Sequence, residues 1–348
     1  MKIAYILPSL RNQGPIVVTK NIVDFLVDWG HEPEVFYLDE TSSKMNFKCP
    51  VQHIRMGAPI DFDCYDIIHS HCFRPDIYVW RWRRCICKAK TVSTLHQDTY
   101  LLFRDQYNLV LAWTYARFWN YVQSRFNGVI SISDTLKQAY LKHIKAQITT
   151  LHNGCAVRID GTADKGIVEV LTKTKSTYRL LGAYAFIVPC KGLNQVIRAL
   201  PHLREYAFVV IGEGPEVSNL KQLSHELGVA DRTLFFPYQK TPYNYLPYFD
   251  VYMMPSYSEG FGMAMVEAAL AGKSIVCSDI PVFHEIFSEE EVCYFTLDDT
   301  ASLCSSIQLA YENRVELGEA ACIKANGEFT AERMAKKHVE YYQNLIKL

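Results

Sequence analysis

Short apolar runs of strand length alternate with helix-length amphipathic stretches, and they do so twice along the chain. This alternation constrains the fold most, because parallel strands need long crossover connections, usually helices. Strands covered on both faces also read as continuous apolar runs rather than as alternating ones. The first such run is residues 3–7, followed by the turn Arg11-Asn12-Gln13-Gly14-Pro15. Pro15 suits a first helical position, where its missing N–H would have no partner in any case. Val17, Ile22 and Leu26 then carry a helical period, and Gly30 closes it. Further strands are expected at residues 34–37, 66–69, 91–95, 129–132 and 148–151.

Residues 157–178 change character, and Asp160, Gly161, Thr162, Ala163 and Asp164 read as a polar linker. A second alternation follows, with strands at residues 180–188, 207–211, 234–236, 251–254 and 274–277 and a helix at 193–203. From Thr330 the tail is helical, with Met334, His338, Tyr341, Leu345 and Leu348 on one stripe. The expectation is an α/β chain of two Rossmann-like parallel-sheet domains, residues 1–157 and 175–328. Residues 329–348 would form a helix packing back on the N-terminal domain. Two open sheets facing each other would hold a ligand in a cleft at the carboxyl ends of their strands.

Composition excludes several classes. With Lys+Arg 36 against Asp+Glu 37 the net charge is −1, which offers nucleic acid no global field. Eleven cysteines without framework spacing read as reduced thiols. Neither a signal-peptide core nor an apolar run of roughly 18 residues is present, so a cytoplasmic location is expected.

The most informative segment is Pro255-Ser256-Tyr257-Ser258-Glu259-Gly260-Phe261-Gly262-Met263, continuing to Glu267. A strand ends, a glycine-bracketed turn follows, and a helix begins near Gly262. Backbone N–H groups at such a start suit a phosphate, and glycines let the backbone approach it. Glu259 sits before the helix and Glu267 inside it, two carboxylates placed to accept hydrogen bonds from hydroxyls.

This spacing, with Ala268, Gly272 and Lys273 behind it, resembles the signature of family 4 glycosyltransferases of the GT-B fold. The resemblance extends to Asp66-Ile-Ile-His69-Ser-His71, Ser93-Thr-Leu-His96, Ser131-Ile-Ser-Asp134 and Leu151-His-Asn-Gly154 in the first half. Lys191-Gly192 and Gly212-Glu213-Gly214-Pro215 continue it in the second. It implies a retaining enzyme that moves a sugar from a nucleotide diphosphate-sugar, UDP being the expected nucleotide, to a glycan or lipid-linked acceptor. Surface polysaccharide or glycolipid biosynthesis is the expected setting, with no metal or other cofactor. By the same resemblance Glu259 holds donor-sugar hydroxyls, Glu267 the ribose, and Phe261 and Gly262 offer backbone N–H groups. Gly260, Met263, Gly212, Glu213 and Gly214 belong to the donor site. Lys191 and Gly14 face the diphosphate, and His96 lies near the reacting carbon. Two departures stand out. No Arg precedes Lys191 in residues 182–190, and the first loop carries only Gly14 where a glycine pair is common. Arg11 is a candidate substitute cation. The lost cation also motivates a rival reading, a weak or inactive subunit that scaffolds another transferase. A GT-B-like epimerase or phosphorylase is a third.

Other signals have plainer readings. Asp61-Phe62-Asp63 could hold a metal, but aspartates are common in turns for local hydrogen bonding. His69, His71 and Cys72 lack a second ligand pair and read as structural. Residues 80–90 carry Arg81, Arg83, Arg84, Lys88 and Lys90 with no acid. They read either as a solvated face whose arginines stack on Trp80 and Trp82, or as a patch for peripheral docking on anionic lipid. Of the nine aromatics in residues 100–126, most are expected in the core.

Overall fold

The computed structural model describes residues 1–100 and 108–348; Phe103 and Tyr107 of the aromatic run lie outside the described residues. The chain divides into two units, Met1–Cys155 with Thr330–Leu348, and Ala156–Phe329.

The first unit is a seven-stranded parallel sheet. Its strands are β1 (Lys2–Ser9), β2 (Glu32–Asp39), β3 (Val51–His53), β4 (Ile67–His71), β5 (Lys90–Leu95), β6 (Gly128–Ser131) and β7 (Ile148–Thr150). Their order is β3-β2-β1-β4-β5-β6-β7, a doubly wound arrangement. Edge strand β3 has three exposed residues and no apolar run, so the sequence pattern gives it no signal. The helix Gly14–Asp28 follows β1 with Pro15 in its first turn.

The last helix, Ala331–Lys347, belongs to this unit and packs on Gly14–Asp28. The Thr330 hydroxyl caps it by accepting from the Arg333 N–H, and the Ala331 N–H donates to the Cys155 carbonyl at 2.9 Å. Its buried stripe holds Met334, His338, Tyr342 and Leu345. Leu348 is exposed instead, because the helix ends at Lys347. The Tyr342 hydroxyl lies 2.9 Å from that of Tyr5 on β1 and 2.6 Å from His69 Nδ1 on β4.

The second unit is a six-stranded parallel sheet. It comprises β8 (Arg179–Tyr184), β9 (Tyr206–Ile211), β10 (Thr233–Phe236), β11 (Val251–Met254), β12 (Ser274–Ser278) and β13 (Cys293–Phe295). The order β10-β9-β8-β11-β12-β13 repeats the third-second-first-fourth-fifth-sixth pattern of the first sheet. Strand β8 stops at Tyr184 rather than at residue 188, because the chain then turns to pack on the glycine loop after β9. A Cβ on Gly212 would lie 2.0 Å from the Ala185 carbonyl oxygen, and one on Gly214 2.1 Å from that of Ile187.

The stretch read as a linker contains a helix, Lys165–Lys175, capped by the Asp164 carboxylate accepting from the Ile167 N–H. Only Ile167 and Leu171 are buried there, too few to mark a helical period. No helix among the described residues is long and apolar enough to cross a membrane.

One buried carboxylate ties helices to sheet in the first unit. Asp76, on the helix Phe73–Arg81, accepts from the hydroxyls of Ser70 on β4 (2.6 Å) and Ser93 on β5 (2.7 Å). It also accepts from Trp119 Nε1 (2.7 Å) and Gln123 Nε2 (3.2 Å) on the helix Leu109–Gln123. Burial pushes its carboxyl up to about 7 while these donors pull it down. Asp76→Ala withdraws one acceptor from four donors at once. We expect it to cost on the order of 3 kcal/mol or more in urea unfolding, with Asp76→Asn costing less; equal, small losses would reject this account.

Candidate active site

Two loops at the carboxyl ends of β8 and β11 are stitched together. After β8 a single turn, Pro189–Lys191, ends at Gly192, whose φ of +62° is left-handed. A Cβ there would meet the Pro255 carbonyl oxygen at 2.0 Å, so glycine is required twice over. Gln195 Nε2 donates to that same carbonyl at 2.9 Å, and the Tyr257 N–H donates to the Cys190 carbonyl at 2.8 Å. This clamp brings Lys191 against Glu259. Lys191 Nζ donates to Glu259 Oε1 at 2.6 Å, and the Ser256 hydroxyl donates to the same oxygen at 2.8 Å. The two side chains are only 25% and 12% exposed, respectively. Burial lowers the Lys191 ammonium, but the Glu259 carboxylate outweighs it and holds the group above its ordinary value.

The helix Met263–Leu270 begins immediately after, and Gly262 at its N-cap has φ +101° with no side chain capping the start. Its Cβ would press on the Phe283 ring at 3.0 Å. Phe261 is buried, its ring edge-on to Phe329 at 5.8 Å. Gly260 lies in the turn and Met263 opens the helix. A helix start with glycine at its N-cap beside a lysine is a site suited to a phosphate, and the two carboxylates suit hydroxyls.

Glu267, a turn and more into that helix, sits in a different environment. The Tyr184 hydroxyl, from the end of β8, donates to its Oε2 at 2.8 Å. Burial nevertheless pushes the Glu267 carboxyl up to about 7. Sequence reading missed Tyr184. Its signal was the departure itself, an aromatic in the segment where the resemblance expects a cation.

The remaining expected residues lie on other loops. Gly212 and Gly214 serve loop packing, as described above, and the Glu213 carbonyl accepts from the Ile187 N–H at 2.8 Å. Gly14 and His96 are in the first unit. A Cβ on Gly14 would meet nothing within 4 Å and its φ is not positive, so neither packing nor strain demands glycine there. His96 follows β5, and its Nε2 is 2.8 Å from His71 Nδ1. Asp61 and Asp63 do local work: the Cys64 thiol donates to Asp61, and the N–H groups of Cys87 and Lys88 donate to Asp63.

The basic segment is only partly as expected. Arg81, Arg83, Arg84 and Lys88 are exposed, while Lys90 opens β5 half-buried. The Arg83 guanidinium stacks 4.7 Å over Trp80, and Trp80 and Trp82 pack against the core. The aromatic run departs from its core assignment. The helix Leu109–Gln123 buries Ala112, Ala116, Trp119 and Val122 and turns large residues outward. Val110 is 74% and Trp113 55% exposed, alongside Leu109, Phe118 and Tyr121, with Arg117 4.6 Å over Trp113. Apolar residues all round a helix hide which stripe faces inward.

Two family models match: Glycosyltransferase Family 4 over residues 51–157 and Glycosyl transferases group 1 over residues 170–327. Over its whole length the chain is 29% identical to the O-antigen biosynthesis glycosyltransferase WclY of Escherichia coli, covering 99% of that protein. It is 24% identical to a phosphatidyl-myo-inositol mannosyltransferase of Mycobacterium leprae, over 88% of this chain and 80% of that one. Among solved structures, HepE of Anabaena in complex with UDP-glucose superposes with a TM-score of 0.82 at 18% identity, covering 99% of this chain and 100% of that one. Sucrose-phosphate synthase of Thermosynechococcus elongatus reaches 0.82 at 16%, covering 99% of each. Two doubly wound parallel sheets of this kind define a GT-B fold. The chain belongs to the family 4 glycosyltransferases.

The Glu267 environment has a thermodynamic consequence. Its folded-state carboxyl near 7 lies above the ordinary value of 4.5, so between those values the folded chain keeps a proton that the unfolded chain has lost. Stability must therefore fall as pH rises through that window. Glu267→Gln removes the penalty. It should be more stable than wild type above pH 7, by about 1–3 kcal/mol, with the difference vanishing below about pH 4.5. Urea midpoints at pH 4.5 and 8 measure this, and a pH-independent difference would refute it.

Proposed function

We propose that this chain transfers a sugar, with retention at the anomeric carbon, from a UDP-sugar to a glycan or lipid-linked acceptor hydroxyl in surface polysaccharide assembly. The observation that carries the reading is the placement of Lys191, Glu259, Glu267 and the glycine-led helix start together in the second unit. A similar full-length protein, WclY, is named for O-antigen biosynthesis, and HepE has been solved with UDP-glucose, which supports the pathway class and the nucleotide.

In this reading Glu267 accepts from ribose hydroxyls and Glu259 from donor-sugar hydroxyls. Lys191 and the N–H groups at Gly262 take the charge that develops on the departing diphosphate, the role a metal fills in other transferases. Positioning supplies much of the remaining acceleration. Gly14 approaches the diphosphate, which accounts for a glycine that its own surroundings do not require. His96 donates to the sugar. The loss of the usual cation before Lys191 leaves an inactive scaffolding subunit as the rival.

Glu259→Gln should lower turnover on a UDP-sugar panel by about 100-fold or more while leaving UDP affinity within about tenfold. Turnover of the wild type should persist in excess EDTA. Wild-type binding of UDP with no transfer to any polyprenyl-linked or glycan acceptor would favour the scaffolding reading, and rescue by manganese after EDTA would overturn metal independence.

We further propose that the first unit docks on anionic bilayers. Exposed Val110, Trp113, Phe118 and Tyr121 would enter the interface, with Arg117, Arg125 and the segment Arg81, Arg83, Arg84 and Lys88 meeting phosphates. Each cation contributes about 1 kcal/mol at low salt. Wild type should co-sediment more strongly with phosphatidylglycerol vesicles than with neutral ones, and Trp113→Ser with Val110→Ser should weaken the part that salt leaves. Equal binding to both vesicle types would refute docking.

A further inference from the structure

Four histidines gather in the first unit, on β4, after β5 and on the last helix. His69 and His71 stack with ring centroids 4.3 Å apart, and His338 lies 6.1 Å from His69. His69 is satisfied at both nitrogens, Nδ1 by the Tyr342 hydroxyl at 2.6 Å and Nε2 by the Thr94 hydroxyl at 2.7 Å. His71 differs. It is fully buried, its Nδ1 meets His96 Nε2 at 2.8 Å, and its Nε2 has no hydrogen-bond partner among the described residues.

One proton must lie between His71 and His96, and the orphaned nitrogen decides where it comes from. If His96 donated, the neutral His71 ring would carry its own N–H on Nε2, buried and unpaired. If His71 donates from Nδ1, only a lone pair is left there, and buried donors without partners are rarer than under-used acceptors. We propose that His71 is a positioning residue, donating Nδ1–H to His96 Nε2 and so fixing His96 as the neutral tautomer that carries its proton on Nδ1. In that form His96 offers a donor to an oxygen of the sugar, which rests on the role given to His96 above. Burial, with the His338 ring adding to it, holds His96 down at about 3, consistent with a neutral ring. The fully bonded His69, locked by Tyr342 and Thr94, is the platform on which His71 stacks. The device therefore spans β1, β4, β5 and the last helix, through Tyr5 as well.

The test uses the full chain labelled with 15N-histidine, with His96 resonances assigned from their loss in His96→Gln. Long-range 1H–15N spectra should show His96 protonated at Nδ1 and bare at Nε2, and His71→Leu should remove that preference. In transfer assays His71→Leu should lower kcat by about 10- to 100-fold with donor KM little changed. His71→Asn should restore most of kcat, since its amide nitrogen takes the place of Nδ1 and still donates. A proton found on His96 Nε2, or a tautomer unmoved in His71→Leu, overturns the proposal. If His71→Leu does not fold, the wild-type spectrum and His71→Asn still decide it. Full turnover in His96→Ala would instead overturn the sugar contact assigned to His96, leaving the tautomer result to stand by itself.

Discussion

A parallel strand covered by helices on both faces has no face left for solvent, and that constraint organises both units. Every residue of β4 is buried, including His69, Ser70 and His71, and so is every residue of β9. Polar groups on such strands must find partners inside. Ser70 and Ser93 accordingly donate to Asp76, and His69 bonds Tyr342 and Thr94. The loops at the carboxyl ends of the strands escape that demand; His96 lies on such a loop in the first unit, and Lys191 and Glu259 on such loops in the second.

The same constraint explains what the sequence discloses. Strands buried on both faces tend to be continuous apolar runs, so β1, β9, β11 and β12 are readable to within a few residues. Two of the four edge strands escape, the fully exposed β3 and the three-residue β13, whereas β7 and β10 keep enough apolar character to be read. The helix Lys165–Lys175 escapes for a related reason, since it covers its sheet with two apolar side chains. For the helix Leu109–Gln123 the pattern misleads. Its inward stripe is built of alanines around Trp119, and the large aromatics that composition would bury face out.

Candidate site positions stand out in the sequence where backbone geometry forces a glycine and where carboxylates recur at fixed spacing. Gly192 and Gly262 both take left-handed conformations that close contacts reinforce. Gly212 and Gly214 look like ligand glycines in sequence yet explain themselves by the carbonyls of Ala185 and Ile187. Partnerships between side chains far apart in the chain were not legible. Nothing local in the sequence says that Tyr184 meets Glu267 or that His71 meets His96.

Two carboxylates eight residues apart are thereby given different electrostatic characters. Glu259 has an ammonium against it and a hydroxyl donating to the same oxygen. Glu267 receives one phenolic hydroxyl in a buried setting, and its carboxyl titrates near neutrality. The Lys191–Glu259 pair also solves a problem of the unliganded protein. A lysine half-buried alone is costly, and so is a half-buried carboxylate. Set against each other they neutralise both charges. In the function proposed above, an arriving donor would bring an anion to Lys191 and hydroxyl protons to Glu259, so each group would exchange one partner for another and neither would be left uncompensated. The clamp from Gly192 and Gln195 to Pro255 matters here because it holds the two loops that carry this ion pair in register.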